Sequence, residues 1–258
     1  MPTDVSVAIP RPSKLLRAAQ AGPHAPAAAP DSDRSSAAAS LPTNTPTAAS
    51  TSPVPNATYL HLFSVPLMTY VWPNSAGLNE QLRDRILSHA AQDCGVQATN
   101  VGGWHSANGN LEFLGELREA LFQRMLAMVN EATGRLAGDR GLPSIAARWS
   151  FLGWANTSET GAFNTMHTHP GMTWSGVYYV DTGDSPGQND SGILKFMDPS
   201  PGSAASFLPF LARATPQIQP VAGLMLLFPS YVPHSVLPHR GSRPRISIAF
   251  NFRSEPYP

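Results

Sequence analysis

A mainly β domain of the jelly-roll type, braced by helices and preceded by a disordered tail, is what three features of this sequence predict. Residues 1 to about 56 are nearly all Ala, Pro, Ser and Thr without an apolar period, so they cannot bury enough surface to offset the entropy of ordering them. Two later stretches carry apolar residues at helical spacing. From Ile145 onward that period disappears, and short alternating or apolar runs follow one another between Gly, Pro, Asn and Asp clusters. Many short strands after two helices indicate a sandwich or barrel with the helices on one outer face. The 258 residues thus divide into a tail, 1–56, and a single folded domain, 57–258.

Within the domain, Tyr59 to Leu67 alternates weakly and ends beyond Pro66, which suggests an edge strand. Leu78, Leu82, Ile86 and Ala90 recur every four residues behind Asn74 and Ser75, predicting an amphipathic helix over 77–92. Gly102-Gly103-Trp104-His105-Ser106 reads as a turn. Leu114, Leu117, Leu121, Met125, Met128, Val129 and Ala132 form one stripe, predicting a second helix over 111–135 that stops near Gly134 and Gly138. Strand candidates then span 145–155, 174–181, 191–197, 215–221, 223–228, 234–237 and 244–252. In the last of them Ile246, Ile248, Phe250 and Phe252 share one face, suited to a helix cover. Arg245, Ser247, Ala249 and Asn251 share the other, and a small polar face around one arginine suggests a cavity.

Composition narrows the function. Lys plus Arg equals Asp plus Glu at 17 each, so no net field draws the chain to nucleic acid or to an anionic membrane. One cysteine, Cys94, excludes an intramolecular disulfide and a Cys-rich zinc module. A reducing compartment fits, and with no apolar run long enough to span a bilayer the expected location is cytoplasmic.

His167 and His169 alternate on an extended backbone, so both imidazoles point the same way and can reach one ion. His234, closing Pro229-Ser230-Tyr231-Val232-Pro233-His234, supplies a third nitrogen. Imidazole suits Fe(II), and three protein ligands leave open positions. His24, His61, His89, His105 and His239 are isolated and read as structural. Trp154, Trp174, Phe196 and Tyr231 are candidates for a substrate mouth or for core packing.

Gly-Gly-Trp-x-Ser, Trp154-Ala-Asn156, His-x-His-Pro, Ser-Gly-Val-Tyr-Tyr, Gly192-x-Leu-x-Phe-x-Asp198-Pro, Leu-Phe-Pro-Ser with His234, and Arg-Ile-Ser-Ile-Ala-Phe-Asn together resemble the 2-oxoglutarate/Fe(II) oxygenases related to prolyl 4-hydroxylase. The resemblance covers most of residues 59–252 and implies a double-stranded β-helix core. It also implies Fe(II) held by His167 and His234, and 2-oxoglutarate as co-substrate with its far carboxylate on Arg245, Ser247 and Tyr179. The implied reaction consumes dioxygen, converts 2-oxoglutarate to succinate and hydroxylates a small-molecule or peptidyl substrate. Where that family carries Asp two residues after the first histidine, this chain has His169. Three arrangements stay open: His169 as third ligand, Asp198 as the carboxylate, or His169 as first ligand with Gly171 in the carboxylate position, as in 2-oxoglutarate halogenases.

Two other classes share the fold. Gly161 with His167-x-His169, and Gly223 with Pro229 and His234, also resemble the two cupin motifs, which would make a three-histidine iron dioxygenase that uses no 2-oxo acid. The cupin glutamate is absent, and Arg245-x-Ser247 is a clamp only a 2-oxo acid user needs. A non-catalytic metal-binding jelly roll is the third reading.

Overall fold

The computed structural model describes residues 16–18, 64–142, 147–184, 190–199 and 216–255. The stretch read as a disordered tail lies outside the described residues except for Leu16–Ala18. In chain order the elements are β1 (Leu16–Ala18), β2 (Met68–Val71), α1 (Ala76–Ala90), β3 (Asn100–His105), a 3-10 turn (Glu112–Leu114), α2 (Leu117–Gly138), β4 (Trp149–His167), β5 (Trp174–Asp181), β6 (Leu194–Phe196), β7 (Pro216–Ile218), β8 (Leu224–Pro229), β9 (His234–Val236) and β10 (Arg245–Ser254).

All described pairings are antiparallel, and hydrogen bonding runs in the order β1-β7-β6-β9-β4-β10-β5-β8-β2 with β3 on β4. The 19-residue β4 is the hinge of this arrangement. Its first half pairs with β10, from Trp149 opposite Ser254 to Ser158 opposite Arg245. Its second half pairs with β9, with His167 opposite His234. Between the halves Gly161 takes a φ of 86°, a left-handed value that glycine adopts without steric cost. One strand therefore serves two layers: β2, β8, β5, β10, β4 and β3 in the larger, β4, β9, β6, β7 and β1 in the smaller. This is the jelly-roll layering that the strand count predicts.

The outer face of the larger layer carries the main core. Tyr178, Val180, Met225, Leu227, Ile246, Ile248, Phe250 and Phe252 pack there with Leu82 and Ile86 of α1 and Leu121, Met125, Met128 and Val129 of α2. Ile248, Phe250 and Phe252 are fully buried, and each such side chain contributes about 1.5–3 kcal/mol of burial. The helix cover expected for this face of β10 is present. A second cluster, Tyr179, Leu194, Phe196, Ile218, Leu224, Leu226, Phe228 and Val232, fills the space between the layers.

Three local readings change. Gly102-Gly103 is not a turn but part of β3. A Cβ on Gly103 would stand 2.7 Å from the Thr157 carbonyl oxygen, so this glycine permits a close approach of β3 to β4 across a register shift. The second helix begins at Leu117 rather than 111, because Leu111 and Gly115 both take positive φ near 59° and break the preceding turn. The first strand of the domain starts after Pro66, at Met68, where it pairs with β8; Tyr59 to Phe63 lie outside the described residues.

Candidate metal centre and anion cavity

The register of β4, β9 and β10 brings the predicted residues to one cavity. His167 ends β4, His234 begins β9 directly opposite it, and His169 follows in a turn whose backbone N–H donates to the Ser230 carbonyl at 3.0 Å. One ring nitrogen from each of His167, His169 and His234 lies within 4.8 Å of the others. Ring centroids are 4.3 Å apart for His167 and His234, 5.0 Å for His167 and His169, and 5.2 Å for His169 and His234.

Two of the three rings are held by carbonyl groups. His167 Nδ1 lies 2.7 Å from the Thr165 carbonyl oxygen and His234 Nδ1 lies 2.9 Å from that of Val232. A carbonyl only accepts, so Nδ1 carries the proton in both and Nε2 keeps its lone pair, the form a metal needs. His169 packs instead against Trp154, with centroids 5.6 Å apart. Burial lowers the pKa of all three. Repulsion from His167 adds to burial for His169, at about 4, and for His234, at about 3. Near pH 7 the cluster is three neutral imidazoles, a donor set suited to Fe(II), Zn(II) or another borderline divalent ion.

Asp198 is not part of this cluster, so the carboxylate alternative is not what the ligand atoms assemble. Gly171 lies in the turn after His169 at a φ of 80°, and the arrangement that would put it at the metal leaves out His167, which the cluster includes. Ser230 anchors the turn from below. Its hydroxyl is 2.9 Å from that of Ser175, which also donates to Asn251 Oδ1 at 2.7 Å.

At the other end of the cavity stands Arg245, 2% exposed. Among the described residues it has no carboxylate partner. Its guanidinium lies over the Tyr179 ring, 5.2 Å from the centroid, and reaches Ser158 Oγ at 3.5 Å. Arg245 Nε, Tyr179 Oη and Asn156 Oδ1 are buried without a hydrogen-bond partner. Burial pushes the Tyr179 phenol pKa up, partly offset by the Arg245 charge, so the phenol keeps its proton as a donor. Buried polar atoms of this kind are nearly always satisfied, and a phenol donor beside a cation whose own Nε–H lacks a partner calls for an anion. Arg243, two residues before it, is exposed and reaches Asp181 at 3.9 Å.

Between the two ends runs one polar rung across the larger layer. His105 pairs with Asn156, Asn156 with Ser247, and Ser247 with Tyr179. The cavity is lined by these last three with Trp154, Arg245 and the histidines, and encloses about 60 Å³, several times the roughly 10–15 Å³ that one water needs. His105, read as isolated, is buried and stacked on Trp154 at 5.4 Å. Trp154, read as either mouth or core, lines the cavity, and Tyr231 is exposed. Trp174 belongs to the helix-side core, where its Nε1–H donates to Thr133 Oγ1 at 3.0 Å, and Phe196 to the core between the layers. Asn156 was visible only as part of a motif, because nothing in the sequence tells which amide will lack a partner.

Among the described residues no helix is long and apolar enough to cross a membrane. Residues 153–251 match the family model described as "Putative 2OG-Fe(II) oxygenase". No curated protein matches. Among solved structures, the chain is similar to a Pseudomonas putida prolyl-4-hydroxylase, with 24% identity over 74% of this chain and 93% of that one and a TM-score of 0.50. It is also similar to a Trichoplax adhaerens prolyl hydroxylase in complex with a hypoxia inducible factor peptide fragment, with 15% identity over 72% and 83% and a TM-score of 0.52.

Proposed function

We propose that the chain is a 2OG-Fe(II) oxygenase, as the family model matching residues 153–251 suggests, that it uses Fe(II) and 2-oxoglutarate, and that it hydroxylates a small-molecule or peptidyl substrate at the three-histidine centre. His167, His169 and His234 hold the iron in this reading. Arg245, with Tyr179 and Ser247, holds the far carboxylate of 2-oxoglutarate. The observation that carries the assignment is the pairing, in one cavity, of three neutral imidazoles with a buried arginine and phenol whose Nε and Oη lack partners. When bound, the iron and the 2-oxo acid together supply the oxidising chemistry through dioxygen.

The chain's own residues supply position and protection. The guanidinium gives a planar fork that suits a carboxylate, and the Tyr179 hydroxyl, kept protonated by burial, donates beside it. The carbonyls of Thr165 and Val232 fix the tautomer of two ligands. Trp154 walls the metal end, and the apolar side chains of Val177, Leu194, Phe228 and Val236 exclude bulk water, which strengthens each charge interaction inside. A peptidyl substrate is suggested by the peptide held by the Trichoplax neighbour.

The test is succinate release with Fe(II) and 2-oxoglutarate across a metabolite and peptide panel, comparing the wild type with His234→Ala and Arg245→Ala. Turnover in the wild type alone supports the assignment; equal turnover in all three overturns it. The three-histidine donor set also favours a cupin-like dioxygenase that uses no 2-oxo acid. Calorimetry separates the two, because that enzyme would not bind 2-oxoglutarate when loaded with Fe(II) under anaerobic conditions.

A further inference from the structure

Arg245 lines the cavity, and directly behind it lies Gly192, which does not. A Cβ on Gly192 would stand 2.8 Å from Arg245 Cδ and 3.2 Å from Nε. The arginine stem therefore rests in a notch that exists only because residue 192 has no side chain. The other wall of the notch is held in place, since the turn that carries Gly192 is tied on several sides. Gly192 N–H donates to the Pro238 carbonyl at 3.2 Å, and Leu237 N–H to the Ile193 carbonyl at 2.9 Å. Arg240 N–H donates to Ser191 Oγ at 2.9 Å, and Arg240 and Asp190 form an ion pair at 3.1 Å.

His239 completes the tie. Its Nε2 lies 2.7 Å from the Arg243 carbonyl oxygen, so Nε2 carries the proton and Nδ1 accepts from the Ser191 hydroxyl at 3.3 Å. Both Ser191 and His239 are 1% exposed. A histidine that reads as isolated in the sequence thus fixes the wall behind Arg245.

We propose that Gly192 is the stop that sets how deep Arg245 sits, and thereby the length of the 2-oxo diacid the cavity accepts. The inference rests on the reading of Arg245 as the carboxylate partner. A side chain at 192 would push the arginine stem off its wall, and with the turn held by its ties the stem shifts toward the cavity that Arg245 lines. The distance between guanidinium and metal then shortens. A diacid fitted to the wild-type distance is compressed, while one that is a carbon shorter is spared.

The experiment uses the full chain loaded with Mn(II), titrated by calorimetry with 2-oxoglutarate and with oxaloacetate, which is one methylene shorter. For Gly192→Ala the expected result is 2-oxoglutarate binding weakened about tenfold or more, oxaloacetate changed by less than about threefold, and Mn(II) affinity unchanged. Position 192 takes a φ of 61°, so Gly192→Asn, which tolerates left-handed backbone, carries the same comparison if the alanine variant does not fold. Equal losses for both acids, parallel loss of Mn(II), or no change in either acid would overturn the role of Gly192 while leaving the co-substrate reading in place. A wild type that binds neither acid overturns that reading and the inference with it.

Discussion

Replacing Arg245 by methionine should move two measurements in opposite directions. The guanidinium is 2% exposed, without a carboxylate partner among the described residues, and its Nε lacks a hydrogen-bond partner. Without a bound anion the charge is offset only by the Tyr179 ring and the Ser158 hydroxyl, and a buried charge so weakly partnered costs the folded state up to several kcal/mol. With the co-substrate bound, the same group offers two charge-assisted hydrogen bonds worth about 1.5–3 kcal/mol each. Arg245→Met should therefore weaken 2-oxoglutarate binding by about 3–6 kcal/mol, a factor of roughly 10² to 10⁴ in Kd. It should also leave the Tm of the ligand-free protein unchanged or raise it, at about 2–4 °C per kcal/mol for a chain of this size. Titration calorimetry on the Mn(II)-loaded protein and differential scanning calorimetry on the metal-free protein read the two effects. A Kd within about threefold of the wild type, or a fall in ligand-free Tm comparable to that of a core truncation, would refute the reasoning, because either would make Arg245 a structural residue.

Four further outcomes follow from the structure. The histidine pKa values lie below the ordinary 6.5, with His169 at about 4 and His234 at about 3, so the unfolded chain binds more protons between those values and 6.5. Ligand-free stability should hold level above pH 6.5 and fall as pH drops through that window. Mn(II) affinity should change little from pH 8 to 6 and decline below about 5; a steep decline already between pH 7 and 6 would mean rings of ordinary basicity. Asp198→Ala should leave metal affinity unaltered and His167→Ala should abolish it, measured by metal titration; a loss of tenfold or more in the aspartate variant would return the carboxylate to the metal shell. Gly103→Ala should destabilise the protein by about 1–3 kcal/mol, seen as a lower midpoint in urea, because the added Cβ meets the Thr157 carbonyl at 2.7 Å; an unchanged midpoint would show that β3 can drift from β4.

What the sequence made legible was whatever a period or a residue type encodes locally. Alternation in β10 separated Ile246, Ile248, Phe250 and Phe252 from Arg245 and Ser247, and the structure puts those two sets against the helices and the cavity respectively. His167, His169 and His234 were legible as ligand candidates because the first two point the same way on an extended backbone and the third adds a nitrogen to them. Arg245 was legible as the anion partner because it falls within that alternating run. Glycines were misread where their reason is a neighbour far along the chain. Gly103 looked like a turn because a pair of glycines usually is one, yet the cause is the Thr157 carbonyl on another strand. Gly192 could be quoted as part of a motif, but its purpose depends on the stem of Arg245, which only the folded chain brings there. His105 and His239 read as bland for the same reason: a histidine's role is set by the carbonyl or ring it meets, and neither partner is encoded beside it.

The continuity of β4 also has a consequence for how this site could be exchanged or redesigned. Asn156 and Ser158, at the arginine end, and His167, at the metal end, lie on a single strand that takes a left-handed glycine at Gly161 and shifts register against β9 between Asn164 and His167. Inserting or deleting one residue between Ser158 and His167 would turn the histidine to the opposite face and lose the metal without touching the anion site. A chimera with a relative should therefore transfer Trp149–His167 as one block, since a junction inside it would join two correct half-sites out of phase.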